Sequence, residues 1–149
     1  MTDPSARRTL FDGIADEFLR DYPRGARLVA VASPDGARSA AAAASLREAL
    51  AGRGVDARVT TAPGEGAEQL RTEVVAPFRA AGADAVLIVP GSANLLAERA
   101  RGLWHYSVWV IEGDEVPHTA ATALVDVTDP NAPARRLADY CAVPPSFLT

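Results

Sequence analysis

Residues 32–39, Ala-Ser-Pro-Asp-Gly-Ala-Arg-Ser, run without a gap along the pattern G-x-x-x-x-G-K-[ST], whose chemistry is to cradle polyphosphate. In that pattern two glycines let backbone amides wrap the phosphates, a lysine reaches the outer phosphates, and a hydroxyl ligates magnesium. Here Ala32 and Ala37 stand at the glycine positions, Arg38 replaces the lysine, and only Ser39 keeps the expected type. Each alanine adds a methyl group where the backbone must approach the anion closely. Arg38 keeps the charge but is bulkier and presents a planar fork. No lysine elsewhere can substitute, because all 15 basic residues are arginine. Two readings stay open for Ser33, Asp35, Gly36, Arg38 and Ser39. They form a weak residual anion site at a helix N-terminus, or Arg38 is a surface arginine beside a helix-start serine.

The other reactive side chains form no second constellation. His105 and His118 titrate in a useful range, but neither has flanking partners, which favours structural or exposed roles. Two histidines without cysteine partners make no metal cluster, and the single cysteine, Cys141, has no internal disulfide partner and no nucleophile signature. No catalytic residue and no metal site are assigned. The acidic run Glu112-Gly-Asp-Glu115 reads as a solvated turn in preference to a cation site. Trp104, Tyr106 and Trp109 are aromatic candidates for the core or for a protein interface. Phe147 and Leu148 are interface candidates in a C-terminal arm that packs either on its own domain or on a neighbouring subunit.

These residues need a frame, and 149 residues suffice for one domain with a real core. Leu10, Phe11, Ile14, Phe18 and Leu19 recur at helical spacing, so residues 5–22 read as an amphipathic helix within an N-terminal segment 1–24. Residues 27–32 are a short apolar run expected to be a strand covered on both faces. A turn at 33–37 leads into an alanine-rich helix, 39–53, stopped by Gly52 and Gly54. A strand at 56–61 and a loop at 62–66 precede a helix at 67–81, which Pro77 kinks or shortens. Strands follow at 85–89, 106–111 and 123–127, with a short helix at 95–101. Prolines 130, 133, 144 and 145 make 130–149 an irregular arm. Strands alternating with helices imply right-handed crossovers, hence an α/β fold with a mostly parallel five-stranded sheet and helices on both faces. Ligands in such sheets bind beyond the carboxyl ends of the strands, where the turns 33–37, 62–66 and 90–94 fall.

Composition narrows the partners. A hydrophobic fraction of 48% with 23% charged residues is ordinary for a soluble globular chain. A net charge of −4 and a pI near 5.1 argue against nucleic acid or an anionic membrane. No apolar run approaches the roughly 20 residues that span a bilayer, and no signal-peptide core is visible, so a cytoplasmic location is expected.

Three stretches resemble the uridine kinase-like group of P-loop nucleoside kinases. The loop 31–39 is similar to a family sequence G-x-D-G-A-G-K-T. The strand 83–91 followed by Arg101-Gly-Leu-Trp-His-Tyr-Ser-Val-Trp109 is similar to a strand ending in Asp-Gly and then R-x-L-W-D-x-S-V-[FW]. Ala123-Leu-Val-Asp-Val-Thr-Asp-Pro130 is similar to V-D-N-T-D-P. Together they span most of residues 25–135 and imply a three-layer P-loop kinase-like fold, the nucleoside triphosphate hydrolase fold. A flavodoxin-like or Rossmann domain would show a different strand order.

The departures from that family fall on its chemistry. After the second strand, Thr60-Thr-Ala-Pro-Gly64 stands where the family carries a catalytic aspartate. Pro90 matches the family's magnesium-shell aspartate, and His105 matches its aspartate after Leu-Trp. The substrate insert is missing, and no arginine occurs between Ile111 and Ala123 to serve a lid. The resemblance therefore implies a pseudokinase without a cofactor, acting as a scaffold, regulatory or assembly subunit with a protein partner or as a homo-oligomer. The alternative is a phosphotransferase or sensor that keeps weak nucleotide binding at the degenerate loop.

Overall fold

Apolar runs that carry almost no polar residue become the buried strands of one sheet. The computed structural model describes residues 4–61, 66–113, 115, 118, 120–129 and 133–136. In chain order the elements are α1 (Pro4–Asp21), β1 (Ala26–Ala32), α2 (Gly36–Ala51), β2 (Ala57–Val59) and α3 (Ala67–Leu70). A π turn (Arg71–Val75) joins α3 to α4 (Ala76–Ala81), and β3 (Ala85–Gly91) follows. Two 3-10 turns (Ala93–Leu96 and Arg101–Leu103) precede β4 (Tyr106–Ile111), β5 (Ala123–Asp126) and β6 (Ala134–Arg136).

The sheet order is β2-β3-β1-β4-β5-β6; β1 to β5 run parallel and β6 pairs antiparallel with β5. With β1 flanked by β3 and β4, the order differs from the flavodoxin-like order 2-1-3-4-5 and the Rossmann order 3-2-1-4-5-6. The sheet has six strands, not the five expected from sequence. The sixth comes from the proline-flanked stretch read as irregular, and three residues are too few for strand alternation to show.

Alternating residues of β1 feed two cores. Val29 and Val31 face α1 and α2, meeting Phe11, Ile14, Phe18, Ala42 and Leu46. Leu28, Ala30 and Ala32 face the opposite side, with Leu70, Val75, Leu95 and Leu103. Helices thus cover both faces, as expected. Burying an aromatic or branched side chain such as Phe11, Ile14 or Phe18 contributes on the order of 1.5–3 kcal/mol each, which holds α1 to the sheet.

Two prolines show how the backbone adapts. Pro77 does not end its helix, because the turn before it widens to π geometry and absorbs the missing N–H and the ring's bulk. Gly82, left-handed at φ 64, then closes α4. Pro90 sits inside β3 opposite Val31. Val86 donates to Asp56, so the even-numbered residues of β3 point toward β2. Pairing with β2 ends at Val59↔Ile88, leaving the imide nitrogen of Pro90 beyond the neighbouring strand, where no ladder bond is lost.

Candidate functional site

The connection after β1 crosses one face of the sheet as α2, and the connection after β3 crosses the other as the 3-10 turns. The carboxyl ends of β1 and β3 therefore flank the switch point at which open α/β sheets bind ligands. Ser33 follows β1 and Gly91 ends β3. The Ser33 amide donates to the Gly91 carbonyl at 3.1 Å, and Ser39 Oγ donates to the same oxygen at 2.8 Å. The two serine hydroxyls lie 2.7 Å apart, and both residues are buried. A Cβ on Gly91 would lie 2.9 Å from Leu95 Cδ1, so this close approach favours glycine. Ser33, Ser39 and Gly91 thus tie the ends of β1 and β3 together.

Asp35 supplies the next contacts. It sits at φ −117, ψ 117 as the N-cap of α2, and its Oδ1 accepts from the amides of Ala37 at 2.9 Å and Arg38 at 3.4 Å. Those amides are the donors a bound anion would need. A side-chain carboxylate already complements the positive end of the helix. Gly36 opens α2, and a Cβ there would meet nothing within 4 Å, so no close approach explains its glycine. The helix starts at this residue and not at 38 or 39, because Asp35 caps it earlier than the alanine run suggests.

Arg38 points away from the loop. Its guanidinium donates to Glu115 Oε1 at 2.6 Å and Oε2 at 3.3 Å, to Glu112 Oε2 at 3.0 Å, and to the Val110 carbonyl at 3.3 Å. The side chain keeps only 14% of its exposure. Glu115 is held further by the Glu112 amide at 2.9 Å. The hydrogen bond from Arg38 is the main reason the Glu115 carboxyl lies below the usual glutamate range. The same contact raises Arg38 above its ordinary value, so the guanidinium stays charged. Three carboxylates, Asp35, Glu112 and Glu115, thus surround one cation. That balance opposes an incoming polyphosphate.

Of the five loop residues expected as candidates, Ser33 and Ser39 meet each other and Asp35 caps the helix, while the Arg38 side chain turns to Glu112 and Glu115. No nucleophile with an adjacent base results, since Ser33 and Ser39 face each other and a carbonyl. Among the described residues, no group of three or more His, Cys, Asp or Glu could hold a metal ion. At the end of β2, the Thr60 amide bonds the Ile88 carbonyl, and residues 62–65 lie outside the described residues.

Both histidines make contacts within the chain. His105 lies at the amino end of the sheet, where its Nδ1 accepts from the Leu28 amide at 3.0 Å and its amide donates to the Leu28 carbonyl at 2.9 Å. Burial, then the nearby Arg79, lowers its pKa and keeps it neutral. The His118 ring stands edge-on to Trp109 at 5.4 Å, and its Nδ1 accepts from the Ala120 amide at 3.3 Å. Burial and Arg101 lower its pKa as well.

The aromatic candidates face inward. Tyr106 and Trp109 are buried on opposite faces of β4, and half-buried Trp104 donates its Nε1 hydrogen to the Leu95 carbonyl at 2.7 Å. Tyr106 and Trp109 are thus enclosed, whereas Trp104 stays partly exposed. Phe147, Leu148 and Cys141 lie outside the described residues. The residues that sequence reasoning missed are Glu112 and Glu115 as partners of Arg38. They are 74 and 77 positions away, and only the strand order brings them together. The Asp35 cap, in contrast, was signalled locally by an aspartate before a helical run.

The chain matches no family model, no curated protein and no solved structure.

Proposed function

We propose that this chain is a non-catalytic protein of P-loop kinase-like fold that acts through contacts with other proteins, as a scaffold, regulatory or assembly subunit. One observation carries the reading: the groups that would receive a nucleotide phosphate are already used inside the chain. Asp35 caps the amides of α2, and Arg38 is clasped by Glu112 and Glu115. The sheet order, with β1 between β3 and β4, supports the reading in so far as it differs from the flavodoxin-like and Rossmann orders.

Phosphoryl transfer depends on positioning and on cations that stabilise spreading negative charge. Among the described residues around the loop, neither is supplied. Pro90 brings no carboxylate to the end of β3, Ser39 donates its hydroxyl to a carbonyl, and the charge of Arg38 is paired by two carboxylates. The competing reading, a weak nucleotide sensor at this loop, requires Arg38 to leave two carboxylates.

The test is phosphoryl transfer from magnesium ATP to a panel of nucleosides by the pure protein. No product above the no-enzyme rate is expected. Turnover that disappears in Arg38→Ala would overturn the proposal.

A further inference from the structure

We propose that β6 is a detachable edge strand, locked onto the sheet by the ion pair between Arg135 and Glu17. Parallel strands β1 to β5 are tied together by crossover connections and by two cores. β6 is different: it is antiparallel, three residues long, and among the described residues pairs only with β5, through Leu124↔Arg136, Val125↔Arg135 and Asp126↔Ala134. Val127 donates to the Ile111 carbonyl, so odd-numbered positions here bond toward β4 and the backbones of Leu124 and Asp126 face β6.

A side-chain anchor supplements this short ladder. Arg135 Nη2 donates to Glu17 Oε2 at 2.7 Å, crossing from the sheet edge to α1 over 118 positions of sequence. The side chains are 32% and 27% exposed, so the pair is partly shielded from water. The same Glu17 oxygen accepts the hydroxyl of buried Tyr106. Arg135 also interacts with the Tyr106 hydroxyl, so Glu17, Tyr106 and Arg135 form one cluster that ties β6 to α1 and β4. A short edge strand held by one shared carboxylate opens as its own unit, ahead of the central sheet.

The test is residue-resolved amide hydrogen exchange on the full chain. In Arg135→Ala, exchange at Leu124 and Asp126 should rise by about two- to fivefold, the order expected when a partly shielded ion pair is lost, while amides of β1 and β3 keep their protection. Glu17→Gln leaves Tyr106 an acceptor and should raise exchange at the same two amides without unfolding the chain. Unchanged exchange at Leu124 and Asp126 in both variants would overturn the proposal. So would an equal rise across β1 and β3, since β6 would then open only with the whole domain.

Discussion

Two arginines, one at each end of the central strand, do opposite jobs. At the amino end Arg27 is nearly enclosed, at 4% side-chain exposure, and donates to Tyr22 O at 2.8 Å, Gly25 O at 2.9 Å and Asp84 Oδ1 at 3.2 Å. Its main partners lie two and five positions away, so it fastens the chain reversal between α1 and β1. Asp84 also accepts from the Gly25 amide at 2.7 Å, tying that reversal to the start of β3. At the carboxyl end Arg38 reaches carboxylates more than seventy positions away, in the turn after β4. The first arginine, itself buried, ties down the backbone of the chain reversal. The second occupies a place where a ligand would otherwise bring the charge. An arginine at a phosphate-loop position is thus no sign of phosphate binding until its partners are known.

If the amino end is structural, breaking it should cost most. Arg27→Ala removes charged hydrogen bonds from two shielded carbonyls and leaves a void, which should destabilise the protein by about 2–4 kcal/mol in urea unfolding. A loss below about 1 kcal/mol would erase the contrast between the two ends. At the carboxyl end, Asp35→Ala removes only a helix cap and should cost about 1 kcal/mol.

The histidines sharpen the same contrast by pH. His105 and His118 have folded pKa values lowered by burial, whereas the unfolded chain takes up protons near 6.5. Stability from this source is complete above pH 6.5 and falls as the pH drops toward the lowered folded values. His105→Asn keeps an acceptor for the Leu28 amide and should flatten part of that slope, read as urea midpoints between about pH 7.5 and about pH 5.5. An unchanged slope would mean that His105 takes up its proton alike in the folded and the unfolded chain.

Smallest of all should be Glu115→Gln. The depressed carboxyl of Glu115 stabilises the fold above its unfolded value of 4.5, and the benefit disappears as the pH falls through its folded value. The gap between wild type and variant should therefore be present at neutral pH and close well below pH 4.5.

Much of the frame was readable because the signals are local. The run at 106–111 is a strand over the expected residues, and the apolar spacing of Phe11, Ile14 and Phe18 fixed the buried stripe of α1. Boundaries moved where a cap or a proline decided them: α2 begins at Gly36 because of Asp35, and the helix through Pro77 continues because its turn widens. β6 escaped because three residues carry no period. The site was half legible. Ser33, Asp35, Gly36, Arg38 and Ser39 are neighbours in sequence and in space, but what they bind is decided by Gly91, Glu112 and Glu115. Those partners become neighbours only once β3 and β4 flank β1, a placement that residue types do not encode locally.

The central claim, that the loop is filled by the chain's own charges, is tested most directly by calorimetric titration of wild-type protein with magnesium ATP, alongside Arg38→Ala. No saturable heat is expected from either protein. Micromolar binding to the wild type that vanishes in Arg38→Ala would contradict it.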